Sequence, residues 1–340
     1  MGVLAAAAGC ASPALVPLVA LPNPPCAGAA GIDWFGPAGS GDRGRLAAWC
    51  DAAGPPAVVE PPARPARADR DTATLAIVTW NIHEGAGDLH ALVDWIRQRA
   101  GGEADVVVML QEAMRRGDGV PPDVPAGAHS PRRIAPSPVP APGIAAAAAR
   151  EGLWTAYVPS MRNGGQGGSD REDRGCAVLS SLPITAVRAI ELPWVSQRRV
   201  AVAATIEARR EGRSWPLTAV SVHLDNRPGR GVQAAALARL LGSLQGSGPM
   251  MVGGDLNTWW GRRERAVSEI DRVVPLAAAC EGRATFRFGR RLDHLFTSLP
   301  AASRARCEIP AGSFGSDHRP VVLFAGPGSL SGRARSGGSG

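Results

Sequence analysis

The stretches "GGDLNTWW" (253–260), "RLDHLF" (291–296) and "GSDHRPVVL" (315–323) each set acidic or amide oxygens, or an Asp beside a His, against an apolar run that reads as a buried strand. Upstream, "IVTWNIHEG" (77–85), "VVVMLQEA" (106–113) and "AVSVHLDN" (219–226) repeat the design, an apolar run ending in a polar residue. Strand ends are where folds place active sites. Carboxylates, amides and imidazoles at such ends have the makeup of one metal-assisted hydrolytic site.

Hydrolysis of a phosphate ester near neutral pH needs a cation to offset developing charge, a base to activate water, and donors around the phosphoryl oxygens. Glu112, after the buried "VVVMLQ", is the first candidate ligand; Mg2+ prefers oxygen and keeps several waters, so one or two carboxylates suffice. Asn81 could bind the metal or orient Glu112. Asp255 and Asn257 would share a face of an extended segment, and Gly253 and Gly254 would let the backbone approach a ligand closely. Asp293 is the natural carboxylate to hold the far nitrogen of His318 and make it a general base in the right tautomer, with Asp317 free for metal or water positioning. His223 offers a second imidazole, for the phosphate or the leaving group. Taken singly, a strand-end histidine or a G-D-x-N step is compatible with a plain turn. Six polar strand ends in one chain point instead to a site.

The elements that must position these residues alternate. "TLAIVTW" is a β-branched run, "LHALVDWIRQRA" sets Leu89, Leu92, Val93 and Ile96 at helical spacing, and "DVVVML" is a second buried strand. That order suggests a layered α/β domain. Strands resume at "CAVLSS", "RVAVAATIEA", "WPLTAVSVHL", "PMMVGG", "RLDHLFTS" and "RPVVLFA", with "VQAAALARLLGSLQG" as an amphipathic helix between the third and fourth. Residues 117–148 read as a Pro/Ala-rich surface insertion. The expected organisation is a leader, Pro-rich segment and linker over 1–72, one domain over 73–325, and a flexible Gly/Ser tail over 326–340. Within the first segment, residues 45–59 are apolar enough for a short docked helix.

All 37 basic residues are arginine and the net charge is +7, which suits an anionic substrate, although the arginine pairs are scattered rather than gathered on one helix. Without lysine, Walker-type phosphate loops and lysine nucleophiles are excluded. The six cysteines show no C-x-x-C spacing, which argues against a zinc ribbon or redox pair. "MGVLAAAAGC" resembles the end of a lipoprotein signal with Cys10 as the lipidated residue, but it lacks a charged n-region and reads equally as an Ala/Pro leader, so the chain is either exported or cytoplasmic. In an exported chain, Cys26 with Cys50 and Cys280 with Cys307 are the expected bridges, leaving Cys176 as a buried thiol.

The ordered run "TWNIHEG", "LQEA", "SVHLDN", "GGDLNTW", "RLDHLF", "GSDHRPV" resembles the endonuclease/exonuclease/phosphatase superfamily over about residues 74–325. The resemblance implies a four-layer α/β sandwich, two mixed β-sheets packed face to face with helices outside. It implies Mg2+ or Mn2+ as cofactor, Glu112 as the metal glutamate with Asn81 beside it, Asp255 and Asn257 as the phosphate-site pair, Asp293 with His318 as the catalytic dyad and Asp317 as the metal-side aspartate. His223 matches the histidine of the deoxyribonuclease and sphingomyelinase branches, where abasic endonucleases have tyrosine. His83, Trp259 and Arg174 are further candidates to line the cleft, as are Arg171, Arg198 and Arg199 for phosphate. The implied substrate is a phosphate ester, a nucleic acid or a phospholipid; a monomer without an obligate protein partner is expected.

Overall fold

The structure, a computed structural model, describes residues 16–22, 31–62, 70–102, 104–122, 142–163, 171–246, 248–277, 280, 282–299 and 305–326. The lipoprotein-like start, Cys10, Cys26 and most of the tail lie outside these residues. In chain order the elements are β1 (Leu18–Ala20), β2 (Ile32–Pro37), α1 (Ser40–Ala52), β3 (Ala57–Val59), β4 (Thr74–Asn81), α2 (Leu89–Arg99), β5 (Ala104–Arg116), α3 (Ile144–Arg150), β6 (Trp154–Arg162) and β7 (Glu172–Ser180). There follow β8 (Ile184–Glu191), β9 (Val200–Arg210), β10 (Arg213–His223), α4 (Arg230–Ser243), β11 (Met250–Asp255), α5 (Arg265–Asp271), β12 (Asp293–Thr297), β13 (Arg306–Glu308) and β14 (Val321–Ala325).

Two mixed seven-stranded sheets form, one in the order β1-β2-β8-β9-β10-β11-β12 and the other β13-β14-β4-β5-β7-β6-β3. Alternation along β4 shows how they stack. Leu75 and Ile77 join Val202, Ala219 and Met251 between the sheets, whereas Ala76, Val78 and Trp80 face Leu92, Val93 and Ile96 of α2. The second sheet does the same, with Val220, Val222 and Val252 turned towards Leu237 and Leu241 of α4. Strands buried on both faces are apolar at nearly every position, which is why they read as long apolar runs. The four-layer sandwich with helices outside is therefore present. Helix α4 is not amphipathic: Gln233 through Ala238, Leu240 and Leu241 are all buried. No helix among the described residues is long and apolar enough to cross a membrane.

The stretch read as leader and linker supplies edge strands to both sheets. β2 pairs parallel with β8 and carries β1 beyond it, while β3 pairs antiparallel with β6. A buried polar hub pins this arm. Asp173 accepts from Gly54 N at 2.9 Å, Tyr157 Oη at 2.8 Å, and Arg115 Nε and Nη2 at 3.2 and 2.5 Å. Cys50, on α1, is disulfide-bonded. Of the segment read as a surface insertion, residues 123–141 lie outside the description, but Ile144 opens a helix whose Ala148 is buried. The Cys280–Cys307 bridge is present and ties the α5–β12 connection to β13, and Cys176 is a free, buried thiol.

Candidate active site

The polar strand-end residues come from both sheets. Asn81 ends β4, Glu112 sits in β5, and Asp317 and His318 lie just before β14; across the sandwich His223 ends β10, Asp255 ends β11 and Asp293 opens β12. Register makes neighbours of three of them, pairing His223 with Asp255 and Asp255 with Asp293. Beneath them Gln111 Nε2 donates to Ser221 Oγ at 3.0 Å, joining β5 to β10, and Ser221 Oγ donates to the Leu110 carbonyl at 2.7 Å. Gly253 and Gly254 answer to packing rather than to a ligand. A Cβ would stand 2.6 Å from Thr79 Cβ at the first and 2.3 Å from the Val222 carbonyl at the second.

His318 Nδ1 lies 2.8 Å from Asp293 Oδ2, both side chains are buried, and Asp293 Oδ1 has no hydrogen-bond partner among the described residues. Nε2 of the same ring faces Asp255 Oδ2 at 3.9 Å and Asp317 Oδ1 at 4.0 Å. The loop is held by Trp80 Nε1 donating to the His318 carbonyl at 3.1 Å and by Ser316 Oγ, which accepts from His318 N at 3.0 Å and donates to the Asn81 carbonyl at 2.7 Å. Burial opposes charge on this imidazole, yet Asp293, then Asp255 and Asp317, outweigh it and push His318 up to about 10. His223, 3.5 Å from Asp255 Oδ2, moves the other way, driven well below the usual histidine value by burial and by Arg199, His318 and Arg174. Burial pushes Asp255 up to about 6, against the attraction of His318 and with the repulsion of Asp293. Opposite shifts in neighbouring groups mark out a proton carrier and a neutral donor.

Glu112 adopts φ 55° where the β5/β7 register slips between Leu110 and Ala113. A left-handed glutamate costs on the order of 1–3 kcal/mol, and a bulge re-aims a side chain out of the ladder. Among the described residues no hydrogen bond reaches its carboxylate; His223 Nδ1 stands 3.9 Å away. An under-partnered carboxylate held on a bulge suits a hard cation, so the residues present fit Mg2+. Asn81 is occupied otherwise: its Nδ2 donates to Asp255 Oδ2 at 3.0 Å and its Oδ1 accepts from His83 N at 3.0 Å. It orients Asp255 rather than Glu112. Asp317 pairs with His83 Nδ1 at 3.1 Å, and although burial raises it, that hydrogen bond and His318 hold it below the usual carboxylate range. Ligand atoms of Asp255, Asp293 and His318 lie within 4.8 Å of one another. The short Asp293–His318 hydrogen bond occupies that group, so it reads as a proton-transfer set.

Asp255 and Asn257 do not share an extended face. The strand stops at Asp255, Asn257 turns left-handed at φ 53°, its N–H donates to Asp255 Oδ1 at 2.9 Å and its Nδ2 to the Leu224 carbonyl at 2.9 Å. Arg174 forms an ion pair with Glu84 and lines a small hollow with Glu112, Cys176, Arg199 and His223; burial and Arg199 bring its pKa down to about 10. Arg199 therefore stands at the site, whereas Arg198 is bound to Glu191 at 2.9 Å and Arg171 to Asp118 at 3.0 Å, away from it. Phe286, whose ring centroid is 4.6 Å from that of His318, had no sequence signal. Trp259 is half exposed and stacked under Arg290, and its neighbour Trp260 is mostly exposed. A hollow of about 710 Å³ lies behind the β4–α2 loop against Ile82, Asp88, His90, Met114 and Ile144. It holds none of the strand-end acids or imidazoles, and geometry and chemistry place the site with those instead.

The solved structures this chain resembles include the human Nocturnin catalytic domain, at 17% identity and a TM-score of 0.50 over 80% of this chain and 97% of that one. They also include an endonuclease/exonuclease/phosphatase from Bacteroides vulgatus (16%, 0.49, 74% and 98%) and truncated Caenorhabditis elegans TDP2 (15%, 0.44, 74% and 96%). No curated protein sequence matches the chain. The sequence profile of the Endonuclease/Exonuclease/phosphatase family matches residues 78–318, from within β4 to the last histidine of the site, and the chain belongs to that family.

Proposed function

We propose that this chain is a Mg2+-dependent hydrolase of phosphate esters, of the phosphodiesterase or nuclease type, in which the Asp293/His318 pair activates water. The observation that carries the reading is the buried 2.8 Å hydrogen bond between them, with the free imidazole nitrogen turned towards Asp255 and Asp317. Glu112 would hold the cation, which would supply Lewis acidity at a phosphoryl oxygen and offset its charge, while Asn81, bonded to Asp255, and Asp317, paired with His83, stand at neighbouring strand ends.

The protein's own residues divide the rest. Asp293 grips Nδ1 and holds the ring in place; positive charge of a bound cation would lower the raised proton affinity of His318, leaving Nε2 unprotonated to take the proton as water attacks phosphorus. Neutral His223 and the Asn257 amide donate towards phosphoryl oxygens as charge builds. The bond to the leaving oxygen breaks, and Asp255, which burial pushes up to about 6, is protonated in a larger fraction of molecules than an ordinary aspartate and can pass that proton to it. Arg174 and Arg199 bring positive charge beside Glu112. A non-catalytic protein on the same scaffold would lack one or more of these groups, and all are present.

The test is hydrolysis of a small diaryl phosphodiester, plasmid DNA, sphingomyelin, phosphatidylinositol and inositol phosphates, with Mg2+ and with chelator, by wild type and His318→Ala. Loss of a general base should lower kcat/KM by about 10²–10⁴-fold. If wild type cleaves none of them, the enzymatic reading fails; an equally active His318→Ala removes the dyad.

A further inference from the structure

Trp259, Trp260 and Phe288 are the exposed aromatic side chains among the described large hydrophobic residues, at 49%, 80% and 92% exposure. All three lie on the connections flanking β11 and β12. Those connections are bound together: Leu256 N donates to the Leu292 carbonyl at 2.9 Å, Thr258 Oγ1 to the Arg291 carbonyl at 3.1 Å, and the Arg290 guanidinium lies 3.5 Å over the Trp259 ring. They also reach the chemistry, since Asn257 is two residues before Trp259 and Phe286, two before Phe288, packs on the His318 ring. Phe288 is held outward by a left-handed backbone at φ 57°. Solvent exposure of a large apolar ring on a strained backbone is costly without a partner.

Arginines interleave these rings. Arg262, Arg263, Arg283 and Arg287 are exposed and make no ion pair among the described residues. We infer that this rim is a platform for single-stranded nucleic acid, on which unpaired bases stack on Trp260 and Phe288 while the arginines track the phosphates towards His318. Rings with cations between them are what a flexible polyanion with planar bases requires. A bilayer anchor would need continuous apolar surface, and the other exposed hydrophobics, Val19 and Val58, belong to the β1 and β3 edges. The inference rests on the phosphodiesterase reading and specifies its substrate class.

Binding of a short fluorescent single-stranded DNA by the full chain, in chelator so that nothing is cleaved, tests it. Wild type should show log K falling with log salt at a slope of about −3 if four arginines contact phosphate, and Arg262→Ser/Arg263→Ser should flatten the slope by about 1.4. Trp260→Ala/Phe288→Ala, which removes only exposed rings and leaves the fold unthreatened, should weaken binding by at least about fivefold per ring. No binding, or equal binding by the ring variant, overturns the platform, and so does ring-dependent binding of phosphatidylserine vesicles in place of DNA. Cleavage of a small phosphodiester without DNA binding leaves the enzymatic reading standing and removes this one; DNA binding without hydrolysis of any ester does the reverse.

Discussion

Asp173 and Asp293 are both fully buried, yet one serves as a rivet and the other is held in readiness. Asp173 accepts four hydrogen bonds, from Gly54, Tyr157 and twice from Arg115, and ties the N-terminal arm to β5, β6 and β7. Among the described residues the Asp293 carboxylate bonds one side chain, His318, and its Oδ1 has no partner. Taking a carboxylate out of water costs several kcal/mol unless the interior compensates it. Full compensation makes Asp173 structural, whereas at Asp293 the uncompensated charge acts on the imidazole. A third grouping, His90 with Asp94 and Glu151, is open to solvent at His90 and Asp94, and Arg97 already pairs with both carboxylates.

Replacing each carboxylate probes that contrast. Asp293→Asn should cost the most activity, lowering kcat/KM by about 10²–10⁴-fold while the protein stays folded. In metal-free protein the raised His318 contributes stability that is full below pH 6.5 and is lost as pH climbs through about 10. Urea midpoints measured across that window should lose much of this slope in Asp293→Asn; an unchanged slope would break the assignment. Asp173→Asn should behave the other way, lowering unfolding free energy by about 3–5 kcal/mol and leaving turnover per folded molecule intact. A matching loss of turnover would erase the distinction between the two sites. His90→Ala, at the exposed group, should leave melting temperature and turnover at wild-type level.

Much of the sandwich was legible because β4, β5, β10, β11 and β14 are buried on both faces and read as apolar runs with polar residues at one end. The arm was not, because β1 and β3 are three residues each, too short for a period, and take their stability from the sheet edges they complete. Helix α4 read as amphipathic, yet both its faces are covered. At the site, the residues' identities were visible while their local geometry was not. Nothing in "LQEA" announces the bulge at Glu112, nor does "GDLN" show that Asn257 folds back on Asp255 instead of continuing the strand. Arg199 was one candidate among several arginines until its place beside Glu112 and His223 singled it out, and Phe286 became recognisable only through what it faces.

By itself the sequence determined the order of the polar strand ends, the two-faced strands that carry them, and the absence of any lysine-based chemistry. Tertiary structure alone decided which of those groups meet: Asn81 reaches Asp255 across 174 residues and His318 reaches Asp293 across 25. It also decided the opposite proton affinities of His318 and His223. Both outcomes have one cause, since hydrogen bonds, burial and Coulomb forces act through space at a few ångströms, a distance that chain order does not encode.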